Sequence, residues 1–351
     1  MSATVDPFEL ALDPPLQTAR ETMDTRRGML FRVASDPPGI GESTPLLPFT
    51  ESRSVSRRAL ERAAEAFETA GWREAFGVVS HTGNGRLRFP AARHAVSLSY
   101  LDHRGRKAGQ PLYRFLGGDP VESIPVNVTL GDGRPEETAR AAETARDEGF
   151  EAIKVKVGRG SLERDLARLR AVRERVGPGV ELRADANGAW KLPQARSFLE
   201  RVKPLDLSHI EQPLAPDSTE DHARLRGMGT PIALDESLGK FGVRELLEWG
   251  AADVFVLKPM ALGGIDVARG SATRIRRAGA ESVVTSIFEG VVGRTGAVHL
   301  AASLPGHPPA GLATASRFVS DLGPDPAPVR DGSISPPSEP GLGVREVGID
   351  G

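Results

Sequence analysis

Five apolar runs in the second half of the chain each close on a charged residue. They are EAIKVKVG (Lys154, Lys156), ELRADANG (Asp185), LSHIEQP (Glu211), PIALDES (Asp235) and DVFVLKP (Lys258). From Lys156 onward the charges are 29, 26, 24 and 23 residues apart. A turn or helix-start signal follows each: Gly158, Asn187-Gly188, Pro213, Ser237 and Pro259. Such regular spacing implies one repeated unit, a strand then a helix, with polar chemistry at the C-terminal end of the strand.

The same grammar extends both ways. From Ile124, eight strand-like runs (IPVNVTLG, AIKVKVG, ELRADAN, LSHIEQP, PIALDES, DVFVLKP, SVVTSIFEG and AGLATA) alternate with helical segments. Ser161 is a candidate N-cap of the second of these helices, SLERDLARLRAVRERVG, and Ser218 with Asp221 fits a helix-start pattern. Strict alternation implies parallel strands. Eight units predict an α/β fold of the (β/α)8 type, a modified TIM barrel, over residues 121–320. No GxGxxG follows the first strand, which argues against a dinucleotide-binding sheet. Residues 1–120 read differently. DPFELAL, GMLFRVAS and PGIGESTPL predict a small antiparallel sheet, with 16–27 as a polar loop between two of its runs. VSRRALERAAEAFETAGW and FPAARHAVSLSYLDHRGRKAG predict helices, the first ending at Gly71. We expect an α+β capping domain here. The Pro- and Gly-rich residues 321–351 complete it, with SISPP and LGVREVGI as short strands.

Composition narrows the function class. Net charge is −2 and cysteine is absent, so nucleic-acid binding, thiolate metal sites and disulfides are not expected. No apolar run approaches the length of a membrane span, and the first residues lack a basic and apolar leader, so a cytoplasmic enzyme is expected. Oligomeric state is not legible, and a homo-oligomer is compatible with the sequence. Of 45 basic residues only seven are lysine, leaving 45 − 7 = 38 arginines. Arginine does not deprotonate in proteins and lysine can. Three of the seven lysines stand on the strand ladder, where an acid/base group is needed.

Lys154 and Lys156 are two residues apart and project to one side of their strand. Asp185, Glu211 and Asp235 close three successive strands. Three carboxylates in one barrel mouth repel one another unless a cation joins them, and an all-oxygen set suits Mg2+. Without His or Cys, zinc is disfavoured. Three carboxylates and Mg2+ leave a charge of −1 for the flanking lysines. In rim order Lys156 and Lys258 face each other across the metal, so a small-molecule carboxylate bound there would have its α-carbon between two lysines. The expected step is α-proton removal to an enediolate. A lysine base requires a pKa below its usual value of about 10.4, and Lys154 with Mg2+ supplies the like charge. Enolase-superfamily sites are a known example of a Lys base working with Mg2+.

At these residues the chain resembles the enolase superfamily, muconate-lactonizing-enzyme subgroup. The motifs are GIGESTPL, AGQPLYRFLGG, K-x-K, D-A-N, I-E-Q-P, D-E-S, L-K-P with GG, and the closing PVRDG…PGLGV. The resemblance implies that Lys156 removes the α-proton, Lys258 works from the opposite face and Lys154 assists electrostatically. Asp185, Glu211 and Asp235 would hold Mg2+, partnered by Asn187 and Glu236. Thr129, Asn187, Ser286 and Thr22 are the expected substrate contacts, and Thr22 with Met23 lies in the expected lid. Within the subgroup the likeness is to the o-succinylbenzoate synthases, Mg2+-dependent lyases of menaquinone biosynthesis. They dehydrate 2-succinyl-6-hydroxy-2,4-cyclohexadiene-1-carboxylate. N-acylamino-acid racemases and muconate cycloisomerases are the alternatives. Dipeptide epimerases usually carry acids after the eighth strand, where this chain has LATASRF. Acid-sugar dehydratases typically carry a histidine base on the seventh, and TSIFEG has none. A barrel kept only for binding would have lost a ladder residue, and none is lost. His209 is expected in the core or behind a metal ligand, Trp190 at the barrel rim, and Glu289 either facing the site or capping the next helix.

Overall fold

A computed structural model describes residues 2–17, 22–83 and 86–348. The chain opens with an antiparallel sheet of β1 (Ser2–Gln17), β2 (Thr22–Ala34) and β3 (Gly39–Ser43), in that order. Alternation explains it: Phe8, Leu10 and Leu12 on β1, and Met29, Phe31 and Val33 on β2, are buried while the residues between them are mostly more exposed. The sequence reading of 16–27 as a loop is corrected here. Residues 22–27 extend β2, paired with β1 as far as Gln17↔Thr22, so the polar stretch is a hairpin arm. Alternating polar residues on a strand exposed on one face look like a loop when read alone. Residues 18–21 lie outside the described residues.

Helices α1 (Arg53–Ala70) and α2 (Trp72–Val79), a short ribbon of β4 (Thr82–Gly83) and β5 (Arg86–Leu87), and helices α3 (Pro90–Ala108) and α4 (Leu112–Phe115) complete the cap. The apolar stripe of α1 (Ala59, Leu60, Ala63, Ala64, Phe67) packs on Met29, Phe31 and Val33. Burying each such Leu or Phe side chain contributes roughly 1.5–3 kcal/mol. Gly71 ends α1 at φ 76, a conformation that only glycine adopts without strain. Gly41 permits the close approach of β3 to α3, since a Cβ there would meet the Ala95 carbonyl.

After β6 (Ile124–Pro125) come seven parallel strands in spatial sequence: β7 (Asn127–Leu130), β8 (Ala152–Lys156), β9 (Glu181–Asp185), β10 (Leu207–Glu211), β11 (Ile232–Leu234), β12 (Val254–Leu257) and β13 (Glu281–Val284). The connecting helices are α5 (Pro135–Asp147), α6 (Leu162–Val176), α7 (Leu192–Val202), α8 (Thr219–Ala223), α9 (Glu236–Lys240), α10 (Val243–Glu248), α11 (Pro259–Leu262), α12 (Ile265–Arg277) and α13 (Val291–Ser303). Ser161 accepts a hydrogen bond from the Arg164 N–H and caps α6, whereas Ser218 makes no such side-chain bond at α8. The eighth strand is reduced to Ala310 and Gly311. They bridge Val126 on one side and Thr285 on the other, both in parallel, and so close the barrel. Ala233, Val254, Val256 and Val283 form an apolar plug inside it. The expected strand IPVNVTLG is split: Ile124–Pro125 pairs with the tail, and Asn127–Leu130 enters the barrel.

In the tail, β14 (Val329–Arg330) and β15 (Ser333–Ile334) form a three-stranded sheet with β6. The expected strand LGVREVGI is not one: its described residues, 342–348, form no strand, and the bridge from Gly341 to Pro111 lies just before it. It is held by other means. Leu342 N–H donates to Asp102, and Leu342 and Val344 pack with Phe8, Leu98 and Val298. That shared core joins cap, tail and barrel.

Candidate active site

Register places the polar side chains in layers. Thr129 lies beside Lys154, Lys154 beside Arg183, and Arg183 beside His209. One step nearer the C-terminal rim, Lys156 lies beside Asp185 and Asp185 beside Glu211. Residues i and i+2 share a face, so both layers point into the barrel. Asp235 directly follows β11, and Lys258 directly follows β12. All six ladder residues therefore meet at one mouth.

The acids are almost wholly buried and each faces a lysine. Lys154 Nζ donates to both Glu211 oxygens at 3.1 Å and stands 3.2 Å from Asp185 Oδ2. Lys156 Nζ donates to Asp185 Oδ2 and to Asn187 Oδ1, both at 2.7 Å. Lys258 Nζ donates to Asp235 Oδ2. Asn187 Nδ2 in turn donates to Glu236 Oε1 at 2.9 Å. The turn residues are unusual. Asn187 (φ 45) and Gln212 (φ 41) occupy the left-handed region, sparsely populated for residues other than glycine. Gln212 fixes the next strand end: its Oε1 accepts from the Asp235 and Ser237 N–H groups, each at 3.1 Å.

These environments set the charges. Burial pushes Glu211 up to about 7, with Asp185 adding repulsion and Lys154 opposing. Burial also pushes Asp235 up to about 6; Lys258 opposes and Glu236 adds to it. At Asp185 burial is outweighed by Lys156 and Lys154, which hold it well below the usual carboxylate range. Burial opposes the charge of Lys154, but Glu211 and Asp185 outweigh it and raise its pKa. Lys258 is raised in the same way: burial opposes its charge, and Asp235 with the neighbouring acids outweighs burial. This is opposite to the depression expected of a lysine base, because the Asp235 carboxylate is turned onto the amine.

Does this set suit a divalent cation? Among the described residues no three side chains already close on one point as ligands. Each acid is turned onto a lysine instead. The donors are nevertheless all carboxylate oxygens from adjacent strand ends, two of them linked through Lys154. Asp235 Oδ1 and Glu236 Oε2 are buried with no hydrogen-bond partner among the described residues. Buried oxygens of this kind, left without a donor, fit a hard cation that keeps oxygen ligands.

The remaining candidates divide. Thr129 is exposed on the inner face of β7 beside Lys154. Ser286 is buried, 3.1 Å from Thr314 Oγ1, and accepts from the Phe288 N–H. Thr22 is exposed on the cap hairpin, and Met23 is half-buried, its sulfur receiving Arg26 Nη1 at 3.5 Å. His209 is buried, and burial with nearby Arg183 and Lys154 lowers its pKa well below the usual value. Trp190 packs against Phe198 at 4.4 Å between ring centres. Glu289 does not cap the next helix. It accepts from the Ile287 N–H, while Glu42 of β3 accepts from the Gly290 and Gly293 N–H groups at the start of α13. That cross-domain cap has no local sequence signal. Neither does Phe49, whose ring centre lies 3.9 Å from Lys258 Nζ.

Residues 137–346 match the family profile described as enolase C-terminal domain-like. L-Ala-D/L-Glu epimerase of Bacillus subtilis is 30% identical over 346 residues, covering 95% of this chain and 93% of its own. The chain belongs to the enolase superfamily. Within it, the chain falls in the muconate-lactonizing-enzyme subgroup and is an enzyme of that group. N-succinylamino acid racemase of Thermus thermophilus is 37% identical over 265 residues, 73% of this chain and 69% of its own. o-Succinylbenzoate synthase of Thermobifida fusca is 38% identical over 212 residues, 58% of this chain and 64% of its own. The solved substrate-liganded L-Ala-D/L-Glu epimerase of Bacillus subtilis superimposes with a TM-score of 0.88 at 28% identity, covering 99% of both chains. A dipeptide epimerase of Enterococcus faecalis, solved with Mg and L-Leu-L-Tyr, gives 0.85 at 26% identity, covering 97% and 98%. Among the described residues no helix is long and apolar enough to cross a membrane.

Proposed function

We propose that this chain is a Mg2+-dependent racemase of N-acylated amino acids. Lys156 and Lys258 are its two bases, and Asp185, Glu211 and Asp235 hold the cation. The observation that carries the proposal is the placement of the two lysines. Lys156 pairs with Asp185 on one flank of the acids and Lys258 with Asp235 on the other. A carboxylate substrate seated at the acids has its α-carbon between two amines. Either amine can take a proton from one face while the other returns a proton to the opposite face.

The bound cation would take up the negative charge that develops on the substrate carboxylate. The chain's own groups do the rest. Asn187 Oδ1 fixes the Lys156 amine, and Glu236 in turn fixes Asn187. Lys154 holds Asp185 and Glu211 together and adds positive charge below the reacting carbon. Thr129, in the layer of Lys154, and Ser286, just past β13, are the expected substrate contacts.

The loop after the eighth strand favours a neutral acyl group on the substrate nitrogen. Leu312, Ala313, Thr314, Ala315 and Ser316 offer no carboxylate to a free ammonium, which disfavours dipeptides and favours a neutral N-acyl group. The long coverage of the epimerase and the racemase among the relatives supports proton transfer between two faces over the dehydration that the sequence motifs suggested. Dehydration to o-succinylbenzoate remains the second reading, favoured by 38% identity to a synthase. It uses the same site, with Lys156 returning its proton to the departing hydroxyl and Lys258 acting only as a cation.

The test uses the enzyme with Mg2+. N-acetyl and N-succinyl amino acids are incubated in D2O, and optical rotation and α-deuterium are followed. In parallel, the cyclohexadiene substrate is followed for aromatisation by ultraviolet absorbance. The proposal expects racemisation with solvent deuterium. Fast dehydration with no exchange of any acyl amino acid would replace it with the second reading.

A further inference from the structure

The two lysines do not have equivalent surroundings. The side chain of Lys156 is 31% exposed, and its partners are Asp185 and Asn187 on the barrel's own strand ends. That of Lys258 is 12% exposed and lies under the face of Phe49, from the cap. A cation within about 6 Å of an aromatic centre is attracted to its face, by about 2 kcal/mol where water is excluded. Asp235, the carboxylate partner of Lys258, is also one of the acids proposed to hold the cation. The Phe49 ring is thus the partner of Lys258 for which the cation does not compete.

The turn that carries the ring is held in place from several sides. Residues 44–50 form a turn in which Phe49 N–H and Thr50 N–H donate to the Leu46 carbonyl at 2.9 and 3.1 Å. Leu46 N–H donates to Thr50 Oγ1 at 2.9 Å. Leu46 packs with Ala91 of α3 and with Met260 and Ile287 of the barrel, so the turn rests on barrel segments that follow Lys258 in the chain. Arg26, almost wholly buried, fastens the same junction. Its guanidinium donates to the Thr44 and Pro45 carbonyls of the cap and to the Ile287 and Phe288 carbonyls of the barrel.

We propose that Phe49 is a positioning residue for Lys258, so that the cap sets the geometry of one of the two bases and leaves the other to the barrel. The inference rests on the racemase reading. It predicts that the two faces of the site respond separately to a change in the cap.

The decisive variants are Phe49→Leu, which keeps apolar bulk and removes the aromatic face, and Phe49→Trp, which keeps that face. The first readout needs no turnover. Protein labelled with 13C at the lysine ε-carbons gives at most seven signals, and loss of one in Lys258→Arg identifies Lys258. In the native protein this signal is expected upfield of the others, shifted by the ring. It should return to the common range in Phe49→Leu and stay shifted in Phe49→Trp. The second readout is α-proton exchange of each enantiomer of N-acetylmethionine in D2O with Mg2+. In Phe49→Leu, exchange of the enantiomer whose proton faces Lys258 should fall about ten-fold together with racemisation, a barrier change of about 1.4 kcal/mol. Exchange of its mirror image should be unchanged, and Phe49→Trp should restore both. An unshifted Lys258 signal in the native protein, Phe49→Leu activity equal to the native, or equal losses for both enantiomers would each overturn the proposal. If the native enzyme exchanges neither enantiomer, the racemase reading fails, and the Lys258 signal still decides the role of Phe49.

Discussion

Lys154 bridges Glu211 and Asp185: one ammonium stands 3.1 Å from both oxygens of the first and 3.2 Å from the second. Without it, buried Glu211 faces Asp185 with no ammonium between them, and only Asp185 keeps a lysine, Lys156 at 2.7 Å. Removing one partner of a buried charge pair typically costs about 3–5 kcal/mol. Lys154→Met should therefore melt well below the native protein in EDTA. Saturating Mg2+ should narrow the difference, because the cation supplies the missing charge. Equal melting temperatures in EDTA would show that Lys154 does not hold the acids.

Asn187 links Lys156 to Glu236 through its two amide atoms, with distances of 2.7 and 2.9 Å. Asn187→Ala removes both contacts and leaves the Lys156 amine without its side constraint. We expect kcat to fall by about ten-fold or more, the factor for about 1.4 kcal/mol, with a smaller change in KM. Steady-state kinetics at saturating Mg2+ read this directly. A change confined to KM would place Asn187 in substrate binding alone.

Barrel closure depends on a small residue in the reduced eighth strand. A Cβ at Gly311 would lie 2.3 Å from Thr285 Oγ1. Gly311→Ala should destabilise the fold by about 1–3 kcal/mol through overpacking. Adding Thr285→Ala should recover part of that loss, since the two changes share one contact. Urea denaturation of the two single variants and the pair measures the coupling, and strict additivity would contradict the contact.

His299 gives the fold a pH dependence away from the site. It is fully buried in α13, accepts from the Tyr113 N–H at 3.2 Å and bonds the Leu342 carbonyl at 3.1 Å, so the neutral ring ties cap and tail to the barrel. Burial lowers its pKa from 6.5 to about 4. The unfolded chain therefore binds a proton that the folded protein refuses. The contribution of His299 is intact above pH 6.5 and is lost as pH falls toward 4. A difference of 2.5 units amounts to about 3 kcal/mol at most. His299→Gln should be less stable at pH 8, with a shallower decline in acid. An unchanged acid slope would remove His299 as a source.

The strand ladder made the barrel and its polar mouth legible, because parallel strands repeat at near-constant length and their ends are marked by Gly, Asn-Gly and Pro. Asp185, Glu211, Asp235 and the three lysines needed only that period and the i, i+2 rule. The sequence was a poorer guide where partners are distant. Residues 22–27 alternate on an exposed hairpin arm and so resembled a loop. Ala310 and Gly311 make a strand of two residues, visible only through their bonds to Val126 and Thr285. Phe49 and Lys258 are 209 residues apart, Glu42 and Gly290 are 248 apart, and no local pattern records either pairing. The choice between racemisation and dehydration was hidden for a different reason, since both begin with the same proton.

The central claim is that Lys156 and Lys258 serve opposite faces of one carbon. Lys156→Ala and Lys258→Ala should each abolish racemisation of N-acetylmethionine. In D2O with Mg2+, each should still exchange the α-proton of one enantiomer, and the two variants should choose opposite enantiomers. Exchange of the same enantiomer by both variants, or native racemisation in either, would contradict the account.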